Sequence, residues 1–229
     1  MATDSTVPAP NRIDPATTAM LFFDCNRGHL RPEDPEARRE IEASGVVDAL
    51  RRIERACRAA GIVIFYTKIE HRPDRRDIAP LLADLGRGGI GGGPYWHEWT
   101  DDPPGPWTPN PAGSPLIEIL DDIQPQPEDY VIAKQRWSAF YQTNFMLHLR
   151  RNGIDTLMIA GGRTEIGVAS TVYAARDRDF NVVVLGDACD SVGRDDINTF
   201  LLEQVFPIFS RVMRVDDAIG LLREAGSPV

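Results

Sequence analysis

The stretch TLMIAGGRTEIGVAST, residues 156–171, decides how this chain folds. Residues 156–160 form a mostly apolar run of strand length, the pattern of a strand covered on both faces. The run breaks at Gly161 and Gly162 and restarts with helical composition over 165–178. Paired glycines let backbone amides approach a ligand closely. The helix start that follows offers unpaired N–H groups and the positive end of a dipole. On a parallel sheet such a turn lies at the strand edge where ligands bind. Gly167 falls in the first helical turn, a position suited to a nucleophile, yet it has no side chain.

Working outward, apolar runs alternate with segments of helical period. Strands are predicted over 18–23, 62–67, 130–133, 156–160, 181–185 and, as an edge, 212–215. Helices are predicted over 45–60, 144–152, 165–178, 196–209 and 216–225. That alternation signals an α/β fold: one three-layer α/β/α domain over 18–229 with a mostly parallel, Rossmann-like sheet. Residues 1–17 read as a flexible N-terminal arm. The segment 72–113 is an insertion rich in Gly, Pro and Trp. Its Trp96, Trp99 and Trp107 argue against disorder and are candidates to cover a substrate pocket or a subunit interface.

The 229 residues carry 25 basic and 34 acidic side chains, 25 − 34 = −9. This balance disfavours nucleic acid or an anionic membrane as partner. No apolar run approaches the roughly 20 residues of a membrane span, and the N-terminus lacks a signal-peptide pattern. A cytoplasmic protein acting on a small molecule is expected. Cys25, Cys57 and Cys189 show neither disulfide nor zinc spacing. His29, His71, His97 and His148 are scattered and read as surface or loop residues, so neither metal nor cofactor is expected.

Asp24 ends an apolar strand, where it serves either as a turn cap or as a carboxylate at the ligand-binding edge. Lys134 ends another apolar run and is either a surface lysine with a buried stem or a partner for Asp24. Arg136 can clamp a substrate carboxylate. Arg163 can meet an anionic substrate or pair with Glu165, and Thr143 can cap the following helix.

Asp24 after its strand, the block KQRWSAF at 134–140, GGRTEIGV at 161–168 and GDACDS at 186–191 together resemble the isochorismatase-like hydrolase superfamily. The likeness runs from about residue 18 to 222 and implies a single α/β/α domain that assembles as a homo-oligomer, a dimer or tetramer. In cysteine-type members an Asp, a Lys and a Cys form a triad that attacks a C–N bond. By resemblance Asp24 and Lys134 hold the first two places, and Gly167 stands where the cysteine would be. The resemblance also implies a cis peptide at 162–163, with the N–H groups of Arg163 and Gly167 facing a developing negative charge. Thr164, Arg136, Arg163, Trp96 and Trp99 are the candidate substrate-binding residues. Members that carry Gly at the cysteine position cleave a vinyl ether, with the Asp as general acid. The expected activity is therefore a cysteine-independent hydrolase acting on a vinyl ether or a C–N bond. The alternatives are an amidohydrolase whose nucleophile has been replaced, in which Gly167→Cys would restore activity, and a small-molecule-binding protein without catalysis.

Overall fold

The structure is a computed structural model and describes residues 12–74, 76–77, 112–191 and 195–225. Six strands form its sheet: β1 (Thr18–Phe23), β2 (Val63–Ile69), β3 (Tyr130–Lys134), β4 (Thr156–Gly162), β5 (Asn181–Asp190) and β6 (Arg211–Met213). All pairings are parallel, in the order β3-β2-β1-β4-β5-β6. The helices are α1 (Arg27–Leu30), α2 (Pro35–Ser44), α3 (Val46–Ala59), α4 (Phe145–Arg151), α5 (Ala169–Arg176), α6 (Asp195–Phe200) and α7 (Val215–Ala225). The order of strands reverses between β1 and β4, so the crevice beyond their C-terminal ends is the switch point of the sheet.

Strand alternation divides the core into two layers. Met20, Phe22, Ile64, Tyr66 and Met158 face one side and pack with Leu50, Ile53, Ala218 and Leu222 of α3 and α7. Ala19, Leu21, Phe23, Phe65 and Leu157 face the other, against Phe145, Leu149, Val172 and Ala175 of α4 and α5. Every residue of β1 and β4 is buried, and full burial of a Leu or Phe side chain contributes about 1.5–3 kcal/mol. This explains why both strands read as unbroken apolar runs.

The differences from expectation are local. The helix α2 escaped the sequence reading, although Asp34-Pro35 is a start signal: the Asp34 side chain accepts from the N–H groups of Glu36 and Ala37, with proline in the first turn. The glycine pair does not end β4 but continues it, because Gly161 and Gly162 pair with Cys189 and Asp190 of β5 across a register shift. The helix expected from residue 165 opens instead with a π turn over Thr164–Val168. Part of the expected arm is packed: Ile13 is buried in the core, and Arg211 Nη1 donates to the Arg12 carbonyl. Residues 1–11 and most of the insertion, with Trp96, Trp99, Trp107 and His97, lie outside the described residues. Among the described residues, no helix is long and apolar enough to cross a membrane.

Candidate active site

Three strand ends supply the centre of the site. Register places Phe23 opposite both Thr67 and Gly161, and Lys134 opposite Ile69. Phe23, Thr67 and Lys134 therefore share the sheet face covered by α4 and α5. Simple alternation would send Asp24 to the opposite face. Its backbone instead turns into the left-handed region, φ 46, a conformation that costs energy outside glycine. The turn brings its carboxylate to the Lys134 side: Lys134 Nζ donates to Oδ2 at 2.7 Å, and the Thr67 hydroxyl donates to Oδ1 at 3.0 Å. The Asp24 N–H donates back to Thr67 Oγ1 at 3.1 Å.

Lys134 is 1% exposed, which excludes the surface-lysine alternative. A lysine can remain charged there only with strong partners. It has the Asp24 carboxylate on one side and the face of the Phe23 ring, 4.5 Å from Nζ to centroid, on the other. Burial pushes the Asp24 carboxyl above its ordinary range, and Lys134 and Thr67 oppose that shift. Burial is the largest of these effects, so the carboxyl holds its proton to higher pH than a solvated aspartate does.

Gly167 is buried against the Phe23 ring that carries Lys134. A Cβ there would lie 2.1 Å from Phe23 Cε1 and 2.5 Å from Cζ, so the space a cysteine needs is filled by the ring. The peptide 162–163 is cis. The expectation for the Gly167 N–H is not met: it donates to the Arg163 carbonyl at 3.1 Å, and that carbonyl also accepts the π-type bond from the Val168 N–H at 3.2 Å. The cysteines do not substitute for a nucleophile at 167. All three are buried, and burial raises each thiol, that of Cys189 to about 12.

The other expected residues make contacts of their own. Arg163 pairs with Glu165, Nε to Oε1 2.8 Å, and Glu165 Oε2 accepts from the Ser191 hydroxyl at 2.6 Å. Thr164 is fully buried, and among the described residues its hydroxyl has no hydrogen-bond partner. Arg136 Nη1 donates to the carbonyls of Asp77 and Gln135, at 2.8 and 2.7 Å, so part of its fork holds backbone. Thr143 is not the cap of α4, a place taken by Asn144 without a side-chain bond; its Oγ1 accepts from the Phe145 N–H one residue before the cap.

Two of the histidines read as surface or loop residues are turned inward. His71 is buried, with Nδ1 3.4 Å from Asp77 Oδ1. His29 stands against Gly162, its Nε2 3.7 Å from Asp190 Oδ2, beyond hydrogen-bond length. Burial, aided by Arg163, lowers His29 to about 4, and burial, opposed by Arg163, raises Asp190 to about 6. Both shifts favour the uncharged forms of the ring and the carboxyl. Among the described residues, no three His, Cys, Asp or Glu side chains converge to hold a metal ion.

Sequence reasoning named Asp24, Lys134 and Gly167 but missed Phe23 and Thr67. Thr67 was hidden because a β-branched residue at a strand end needs no further explanation. Phe23 read only as one more apolar strand residue.

Comparison with known proteins agrees with the geometry. The sequence profile described as Isochorismatase domain matches residues 18–217. A ureidoacrylate amidohydrolase, RutB, of Methylobacterium radiotolerans is 29% identical over 226 residues, covering 93% of this chain and 84% of that protein. A cysteine hydrolase from Pseudomonas syringae pv. phaseolicola superimposes with a TM-score of 0.75 at 20% identity, over 93% of this chain and 95% of its own. The N-carbamoylsarcosine amidase of Thermoplasma acidophilum superimposes with a TM-score of 0.61 at 25% identity, over 87% and 97%.

Proposed function

This chain belongs to the isochorismatase family of hydrolases, and from that premise we propose that it hydrolyses a small molecule without a cysteine nucleophile, using Asp24 beside Lys134. The observation that carries the proposal is the buried Asp24–Lys134 pair, 2.7 Å across, at the binding edge of the sheet, with the Phe23 ring lying against both Lys134 and Gly167, a position that offers no side chain.

The chemistry follows from the proton on Asp24. Because burial raises this carboxyl, it can act as a general acid, protonating the substrate at the reacting bond. Water then adds to the activated carbon, and the adduct collapses to a carbonyl as its C–O or C–N bond breaks and the leaving group departs as a neutral alcohol or amine. The Asp24 carboxylate, left beside the Lys134 ammonium, takes the proton that the water releases. One proton leaves Asp24 and one returns, so the cycle closes with a single water consumed and no covalent intermediate on the protein. Lys134 stabilises the ionised half of the cycle electrostatically. The engaged N–H of Gly167 also suits acid catalysis better than the stabilisation of a tetrahedral oxyanion at that amide.

Two bonds fit this chemistry. The glycine at 167 and the block at 134–140 favour a vinyl-ether C–O bond. The amidohydrolase and amidase relatives favour a C–N bond. The insertion bearing Trp96 and Trp99, with Arg136, Arg163 and Thr164, is the proposed source of substrate contacts. A homo-oligomer is the proposed assembly, and the exposed apolar side chains of Tyr173, Phe200 and Ile208 support it.

The test is turnover in heavy-oxygen water of a panel holding isochorismate, small amides, ureides and lactams, followed by mass spectrometry. Label should enter a product with the parent protein and not with Asp24→Asn, and the labelled product names the bond. Equal incorporation by both proteins refutes the role of Asp24. No incorporation by either favours the binding-protein alternative.

A further inference from the structure

Phe23 touches both unusual features of the site. Its ring fills the volume beside Gly167, with Cε1 2.1 Å from where a Cβ would sit. The same ring carries the Lys134 ammonium 4.5 Å from its centroid, while that nitrogen stands 2.7 Å from Asp24 Oδ2. The ring is 1% exposed and packed among Leu21, Phe65, Val168 and Val172. In so dense a setting it has little room to swing aside.

We propose that Phe23 is the positioning residue of this site: its ring takes the space that a side chain at 167 would need and holds the Lys134 ammonium against Asp24. This rests on reading Asp24 and Lys134 as the reacting pair, but it can be tested without any substrate. The reasoning has two parts. A lysine ends a flexible four-carbon stem, and apolar walls alone give its ammonium no preferred place. The negative face of an aromatic ring does, and more strongly where water is excluded. Sterically, the ring and Gly167 are complementary, so glycine at 167 is the required partner of Phe23 and not simply a lost nucleophile. On this proposal Gly167→Cys alone does not restore an amidohydrolase, because the new side chain would meet the ring.

The first arm of the test follows the Asp24 carboxyl by carbon-13 NMR titration in protein labelled at aspartate, with the signal assigned by its loss in Asp24→Asn. Phe23→Leu and Phe23→Met keep apolar volume and remove the ring face. In each, Asp24 should titrate roughly half a pH unit or more above the parent, because a less well placed ammonium lowers it less. An unchanged titration in a variant with the parent's circular dichroism overturns the positioning role.

The second arm compares Gly167→Cys with Phe23→Val/Gly167→Cys. The single variant should have a lower Tm than the parent, and the double variant should recover part of that loss. Peptide mapping after iodoacetamide treatment should show the introduced thiol alkylated at least about tenfold faster in the double variant. A single variant as stable as the parent, with an equally reactive thiol, overturns the steric complementarity. Absence of turnover across the substrate panel together with a shifted Asp24 titration would refute the hydrolase reading and leave the role of Phe23 standing.

Discussion

Replacing Lys134 by Met should destabilise the protein in a manner that depends on pH. The substitution keeps a long unbranched chain in a 1%-exposed site but removes the ammonium 2.7 Å from Asp24 Oδ2. If Asp24 stays ionised, breaking a buried pair costs about 3–5 kcal/mol. Asp24 can escape that cost by taking a proton. Starting from the ordinary carboxyl value of 3.8, protonation costs about 1.4 kcal/mol for each pH unit above it. At pH 5 the upper limit is therefore about 1.6 kcal/mol, and at pH 8 the ionised limit of about 3–5 kcal/mol takes over. The sign follows from linkage. A carboxyl raised in the folded state contributes stability that is fully present below its unfolded value and is lost as pH rises through its folded value. Guanidinium unfolding of parent and variant near pH 5 and near pH 8 measures the difference. The deficit of Lys134→Met should grow by at least about 1.5 kcal/mol between the two, and adding Asp24→Asn should remove the growth. A deficit of equal size at both pH values refutes the argument that an unpaired Asp24 is its source.

Two further predictions concern the other side of the crevice. Burial raises Asp190 from 3.8 to about 6, so its contribution to stability should be present below about pH 4 and lost as pH rises through about 6. The 2.2-unit difference sets a limit of about 3 kcal/mol. Asp190→Asn should gain on the parent across that window in urea unfolding, and parallel stability curves would show the carboxyl to be indifferent. At Gly161, φ is 118 and a Cβ would lie 2.1 Å from the Phe23 carbonyl oxygen, whereas Gly153 has φ 66 and open space. Gly161→Ala should cost at least about 3 kcal/mol, from strain plus overpacking, and Gly153→Ala about 1 kcal/mol, from strain alone. Similar Tm values for the two would contradict this.

Much of this architecture is local information and was legible in the chain itself. Residues 18–23 and 156–160 are apolar because both faces of their strands are covered, and Gly45, Gly61 and Gly153 mark helix ends because their φ values are positive. Those signals depend on near neighbours in sequence, so they predicted the parallel α/β sheet and placed Asp24, Lys134 and Gly161 at its binding edge. The short motifs at 134–140 and 161–168 carried the family. The helix α2 was legible too, through Asp34-Pro35, but its weakly apolar face gave little periodicity to follow.

What only the tertiary structure decided is which of these edge groups meet, and on which face. Lys134 is 110 residues from Asp24, and alternation alone would send Asp24 away from it. A single positive φ reverses that outcome. Arg136 reads in the chain as a substrate clamp, and in the fold its Nη1 donates to the carbonyls of Asp77 and Gln135, so part of that fork holds backbone. His29 looks solitary in sequence because Asp190 comes to it from a distant strand, whereas His71 meets Asp77 only a few residues further along the chain. Gly167 reads in the chain as an absent nucleophile. In the fold it is the counterpart of the Phe23 ring. Periodicity and turn chemistry are written residue by residue, whereas steric exclusion and ion pairing belong to the volume that distant segments come to share.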